Sequence, residues 1–468
     1  MQRNQVSFGH AIVVFAGVFL IIATGMFYLN NLLQVALFTA LLWVGLNARI
    51  IGFKYISQRE FMNSAISRAL PAIYIFLLIG LLIAALMKSG TVAMLVYYGL
   101  DWLSPAFMLP VGFVLCALMS VVTGTSWGTV GTLGVVLMGM AETVGLPLYW
   151  VAGAVVSGAT FGDKMSPVSD TTNLAAMSTD TDLYDHIKSM SMTTGPTFVL
   201  VLIIFFVVGW QLPVHDSSLQ QVANLQQALA QQFDLNPWVT MGPIVVLILF
   251  SFRRFEAELT MVAAIITGTL IALFWQQQTV IQMAQALWSN QPADTGLEAL
   301  NQLLGRGGLY SMAWTLLLAL LAIAMGGILQ SAGFINALFS DLIDKVKTTG
   351  GLVSGTLFSG LILVASLGEA YIAIILNSQL FKKAYQKRSL SSAVLSRTVE
   401  EGVTLMAGLI PWTTAGAFYA ATLGISVLDY APYALLNLIN PLTAIVFAFL
   451  GWSIWQVKSS DSATDSKA

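Results

Sequence analysis

Thirteen consecutive residues, Phe161-Gly162-Asp163-Lys164-Met165-Ser166-Pro167-Val168-Ser169-Asp170-Thr171-Thr172-Asn173, hold two carboxylates, four hydroxyls and one side-chain amide directly after an apolar run. An ionisable side chain at membrane depth is costly, which makes it a functional candidate by default. Pro167 removes a backbone donor and, with Gly162, argues against an unbroken helix here. A broken helix frees carbonyl oxygens. A hard cation such as Na⁺ takes carbonyl, carboxylate and hydroxyl oxygens together, by extension of the rule for larger hard cations. The competing reading is a polar interfacial loop, with Asp163 paired to Lys164 or capping a helix.

Three further places qualify. Thr123-Gly124-Thr125-Ser126-Trp127-Gly128-Thr129-Val130-Gly131-Thr132 offers close backbone approach at its glycines and uncharged ligands at Thr125 and Ser126. Small residues of this kind also simply pack helices together. The stretch contains Gly-x-Ser-x-Gly, the nucleophile-elbow pattern. A serine hydrolase needs a histidine base, and none of His10, His186 and His215 lies in a later span, which disfavours an intramembrane protease. Glu369 with Asn377, and Glu400 with Glu401 ahead of Pro411-Trp412-Thr413-Thr414, are the remaining two. Glu400 and Glu401 either join the polar centre or sit at the interface against Arg397. His186, beside Asp182, Asp185 and Lys188, reads as an ordinary surface histidine rather than a pH sensor. The single Cys116 excludes a disulfide framework, and no metal-ligand spacing occurs.

The elements that must position these groups are membrane helices. Charged residues make up 9 % and hydrophobic residues 57 % of the 468, against roughly 25 % charged in a soluble domain. The net charge of −2 offers no basic face for nucleic acid. Apolar runs approaching the ~20 residues of a span occur at 10–29, 32–48, 72–87, 105–122, 125–140, 148–163 and 195–210, then at 238–251, 258–275, 310–329, 351–367, 369–381, 394–410 and 432–455. The first is read as a retained span, and 125–140 and 369–381 as spans or re-entrant hairpins. Basic residues mark the cytoplasmic side: Arg49, Lys54, Arg59 and Arg68, then Arg253 and Arg254, Lys345 and Lys347, and Lys382, Lys383, Lys387 and Arg388. Residues 211–237 carry no lysine or arginine and read as an extracytoplasmic linker; 456–468 reads as a disordered cytoplasmic tail.

The halves repeat faintly. Gly124 and Gly368, Gly158 and Gly402, Thr160 and Thr404, and Pro167 and Pro411 share one offset, 402 − 158 = 244. Seven spans per half would turn the second copy upside down. The expected fold is therefore an all-α polytopic membrane protein with two inverted-topology repeats, 1–210 and 238–455, and broken or re-entrant helices. The site is expected where the repeats meet.

The Gly162-Asp163-Lys164-Met165-Ser166-Pro167 run with Ser169-Asp170-Thr171-Thr172-Asn173, together with Thr125-Ser126-Trp127-Gly128-Thr129 and Pro411-Trp412-Thr413-Thr414, resembles the NhaC-type sodium/proton antiporter family over roughly residues 5–455. The resemblance implies inverted repeats, re-entrant hairpins, and often a homodimer whose transport domain moves against a scaffold. It also implies exchange of Na⁺ for H⁺, while some relatives carry organic acids or amino acids coupled to these ions. Taken with the residues, the expectation is a secondary transporter, not an enzyme, in the bacterial inner membrane with both termini cytoplasmic. It has no cofactor beyond the transported Na⁺ (or Li⁺) and H⁺, and its partner is the lipid bilayer. The alternative is a Na⁺- or H⁺-coupled carrier of a small organic acid or amino acid. Asp170 is the expected principal Na⁺ ligand and Asp163 the second. Ser126, Thr125, Ser166, Ser169, Thr171, Thr172 and Asn173 complete the shell; Glu369, Asn377, Glu400, Glu401, Thr413 and Thr414 contribute from the second half.

Overall fold

The computed structural model describes residues 6–28, 32–102, 104–212, 218–253, 255–291, 300–301, 304–343 and 346–456. His215, Arg254, Lys345 and all of the expected tail except Gln456 lie outside them. The described chain is all helical; its one strand-like pairing is an isolated bridge between Leu390 and Gln456. Among the described residues, seven helices are long and apolar enough to cross a membrane: Phe8–Phe27, Leu33–Ile50, Leu70–Lys88, Pro105–Thr123, Leu183–Gln211, Leu309–Ser331 and Thr349–Leu367. An eighth forms if Val427–Tyr433 and Leu435–Leu450, bent by 52°, make one broken span. This is a multi-pass membrane protein, because only helices that satisfy their own backbone can stand in lipid at such length.

Apolar runs and helices do not coincide one for one, for physical reasons. The runs at 148–163 and 394–410 end in polar breaks, and the short helices Asp170–Ser178 and Thr414–Leu423 follow them. Those helices open with polar residues, so no apolar run announces them. The run at 125–140 is a composite of Ser126–Thr129, a π-helical turn Val130–Gly134 and Val135–Thr143. The basic-free connection 211–237 contains a helix, Ser218–Gln232.

The backbone repeats where the sequence hints that it should. The helices Met108–Thr123 and Thr349–Leu367 each end on a left-handed glycine, Gly124 (φ 68°) and Gly368 (φ 70°), a conformation glycine adopts without steric cost. Each is followed by an extended N-cap, Thr125 (φ −146°, ψ 123°) and Glu369 (φ −145°, ψ 134°), that starts a returning helix. The offset is 368 − 124 = 244. A second pair of elements repeats likewise. Leu148–Met165 breaks and restarts at Asp170 from the cap Ser169; Ser392–Ala407 breaks and restarts at Thr414 from the cap Thr413, where 413 − 169 = 244. Even close packing is copied: a Cβ on Gly158 would lie 2.3 Å from the Phe113 carbonyl, and one on Gly402 would lie 2.7 Å from the Leu357 carbonyl. We call these two pairs of elements the hairpins and the broken helices.

The halves also exchange partners. Phe8–Phe27 and Leu33–Ile50 bury Val14, Leu37 and Val44 in one core with Leu318, Leu329 and Leu363 of the second half. Conversely, Met261 and Ala264 of Ala257–Phe274 join the core built on Phe76, Leu82 and Phe113. Gly80 approaches the Gly308 carbonyl, and Gly327 approaches Phe61 and Ala65. Such small-residue contacts let membrane helices pack without a hydrophobic driving force between them.

Candidate cation site

Each break is stapled by its own side chains before it offers anything to an ion. Pro167 has no N–H to give, and the chain runs extended at Ser166 (ψ 126°) and Ser169 (ψ 132°). Asn173 Nδ2 donates to the carbonyls of Pro167 (3.0 Å) and Ser169 (2.8 Å), and Ser166 Oγ donates to the Val121 carbonyl at 2.8 Å. In the second break, Thr413 Oγ1 donates to the Ala407 and Ile410 carbonyls at 2.5 and 2.9 Å. Thr414 N–H meets the Gly368 carbonyl at 2.8 Å, tying that break to its hairpin.

Asp163 is the carboxylate on which hydroxyls converge. Ser169 Oγ donates to its Oδ1 at 2.5 Å and Ser126 Oγ to its Oδ2 at 2.8 Å. Lys164 Nζ lies 3.4 Å from the same Oδ2, 3.3 Å from Glu400 Oε1 and 3.0 Å from Thr171 Oγ1. Thr172 Oγ1 is 3.1 Å from both the Asp163 carbonyl and Glu400 Oε1. The first broken helix thus reaches the second through one buried ammonium and one hydroxyl. Charges held at this depth persist only when paired, since an isolated buried ion costs several kcal/mol, at about that order.

Asp170 stands differently. It begins the short helix, is exposed, and accepts no hydrogen bond among the described residues; it lines a cavity of about 290 Å³ with Thr125, Asp163, Ser169, Thr171, Glu369 and Thr414. Glu369 is 2 % exposed and caps its own helix, accepting from Ile372 N–H at 3.1 Å. The cavity therefore sits where both hairpins meet both broken helices. The oxygen-rich cluster belongs to Asp163, the expected second ligand, while Asp170, the expected first, faces the cavity without a hydrogen bond among the described residues.

Other expected contributors lie elsewhere. Asn377 bonds Ser359 and the Thr356 carbonyl (3.0 Å) inside the second hairpin. Glu401 takes Thr193 Oγ1 at 2.5 Å and Asn440 Nδ2 at 3.1 Å, with Arg397 Nε at 3.8 Å. Arg397 is the partner the interfacial alternative expected for Glu401, and both residues are fully buried within the protein. Glu400 is equally buried. The surface reading of His186 fails: it is 0 % exposed, with Nε2 2.7 Å from Glu400 Oε2 and Nδ1 2.6 Å from Ser396 Oγ. Asp182 and Asp185 point its helix start outward, while the ring one residue on from Asp185 turns inward. Thr260, Tyr371 and Glu256 also line the cavity and carried no signal in the sequence: Glu256 and Thr260 follow the basic pair Arg253-Arg254 and look like ordinary interface, and Tyr371 is a lone aromatic opening an apolar run.

A multi-pass helical bundle whose charges gather at helix breaks, between two structurally repeated halves, has the architecture of a secondary transporter. The Na⁺/H⁺ antiporter family model matches residues 5–172 and 158–452, and the chain belongs to that family. It is 35 % identical over 459 residues to the Na⁺/H⁺ antiporter NhaC of Alkalihalophilus pseudofirmus, covering 98 % of this chain and 99 % of that one. It is 31 % identical to the malate-2H⁺/Na⁺-lactate antiporter of Bacillus subtilis, covering 96 % of each, and 30 % identical to the arginine/ornithine antiporter ArcD of Halobacterium salinarum, covering 99 % and 96 %. These relatives are antiporters, and the chain is a transporter rather than an enzyme.

Proposed function

We propose that this protein exchanges Na⁺, and Li⁺ of the same hard chemistry, for H⁺ across the bacterial inner membrane by alternating access. The observation that carries the reading is the meeting of Asp163, Asp170 and Glu369 on one cavity at the junction of two helix breaks. Na⁺ and H⁺ compete there for carboxylate oxygen. Asp163 with Ser126 and Ser169 supplies four side-chain oxygens, each hydroxyl bonded to one oxygen of the carboxylate, and Asp170 supplies an unengaged carboxylate on the same cavity. Desolvation makes either a bound proton or a bound cation preferable to a bare charge, so one leaves as the other arrives.

The two copies, 1–210 and 238–455, stand in opposite orientations in this reading, joined by an extracytoplasmic 211–237, with both termini and the basic loops cytoplasmic. Ser251, Phe255 and Glu256, which flank Arg253, line the cavity, which supports a cytoplasmic opening in this reading. A second reading, coupled exchange of an organic acid or amino acid, is favoured by the names of two relatives of similar identity. Reconstitution in liposomes with an internal pH dye tests the first. Na⁺ pulses should move protons in the protein's presence, and Asp163→Asn should stop them; exchange driven only by malate, lactate or arginine would replace it with the second.

A further inference from the structure

The cavity is larger and more acidic than an alkali ion requires. A water molecule's share of the liquid is about 30 Å³, so about 290 Å³ holds an ion with most of the space left over. Four carboxylates face it, Asp163, Asp170, Glu256 and Glu369, and no lysine, arginine or histidine is among the described residues lining it. The one buried ammonium nearby, Lys164, is already divided between Asp163 and Glu400. Asp170, Glu256 and Glu369 have no basic partner among the described residues.

Two further features concern the shape of a ligand rather than its charge. Trp127, Phe255 and Tyr371 add three aromatic residues to the lining, and an aromatic face attracts an organic cation within about 6 Å of its centre. Thr260 is 5 % exposed, lines the cavity, and its hydroxyl has no hydrogen-bond partner among the described residues. A buried hydroxyl left unmade costs about 1–3 kcal/mol, which a polar ligand that reaches it would recover.

The geometry points to a second cargo for this cavity: a small organic ammonium cation that carries methyl or methylene groups and no carboxylate. The carboxylates balance its charge, the rings receive its methylated head, and Ile75, Leu247 and Met261 give its apolar part a wall. The same carboxylates repel dicarboxylates of the malate type, for which the lining holds no cationic partner. This inference rests on the cavity being the transport site proposed above.

The test uses the full chain in liposomes, with tetramethylammonium and labelled choline as probes, because permanent cations cannot carry protons across lipid by themselves. Both probes are expected to compete with Na⁺, raising its half-saturating concentration at least threefold at tenfold excess, and choline is expected to exchange against itself. Tyr371→Leu should raise the concentration of tetramethylammonium needed for half-inhibition about tenfold, and more than it raises that of Na⁺. Equal shifts for both would make Tyr371 structural and remove the aromatic cage. Na⁺-driven proton movement with neither competition nor choline uptake would overturn this inference and leave the proposed function standing. Choline exchange without any Na⁺-driven proton movement would do the reverse.

Discussion

At the first helix break Asp163, Lys164 and Asp170 stand where the second break has Ala407, Gly408 and Thr414, although both restart their helices from a hydroxyl cap, Ser169 and Thr413. The hairpins differ in the opposite sense: the first is capped by Thr125, the second by Glu369. The backbone has been kept in both copies while the charge has been dealt out unequally, three groups to one break and one to the facing hairpin. Geometry therefore belongs to the repeat and chemistry to individual positions. In the proposed exchange, the difference separates side chains that shape the cavity from those that would meet the ion.

The largest effect expected from that comparison is at the two acids of the first break. Asp163→Asn should lower Na⁺-driven proton movement at least a hundredfold and Asp170→Asn at least tenfold. Thr414→Ala, the counterpart of Asp170, should change it less than threefold. A loss at Thr414 as deep as at Asp170 would mean that both breaks bind the ion. Next in size is the cross-link between the copies. Lys164→Met leaves Glu400 and Asp163 buried without their shared ammonium, a loss of about 3–5 kcal/mol for a broken buried pair. It should appear as a fall in thermal unfolding midpoint in detergent. Lys164→Met with Glu400→Gln should recover part of it, and a double variant no better than the single would show that the pair is not coupled.

How much of this could be read from the sequence depends on the kind of feature. Gly162 and Pro167 announce a break because backbone rules act locally, and the 244-residue offset exposes the second break through Gly402 and Pro411 even though its charges are gone. The caps Thr125, Ser169, Thr413 and Glu369 all lie at that offset. What stayed hidden was tertiary. His186 sits among Asp182, Asp185 and Lys188 and looks solvated; only the packing of Leu183–Gln211 against the second broken helix brings its ring 2.7 Å from Glu400. Lys164 likewise shows its neighbour Asp163 in the sequence and conceals Glu400, 236 positions on (400 − 164 = 236). Hydropathy alone cannot tell a membrane crossing from half of a broken helix, so the breaks after Leu148–Met165 and Ser392–Ala407 are not visible in the apolar runs.

The smallest expected effect sharpens the comparison most finely. Removing either hydroxyl cap, Ser169→Ala or Thr413→Ala, should cost about 1 kcal/mol of stability. Only Ser169→Ala should also weaken Na⁺ affinity, because only that hydroxyl bonds a carboxylate in the cavity. Equal loss of Na⁺ affinity in both would erase the distinction between shaping and binding residues.

The central claim is that Na⁺ and H⁺ occupy the same carboxylate oxygens, and the pH dependence of Na⁺ affinity in proteoliposomes tests it most directly. Below the pH at which the site protonates, the Na⁺ concentration for half-maximal exchange should rise about tenfold for each unit the pH falls, as linked competition for one group requires, and the maximal rate at saturating Na⁺ should hold. A half-saturating concentration that stays constant across that range while the maximal rate falls would place the proton on a different group from the cation and contradict the account.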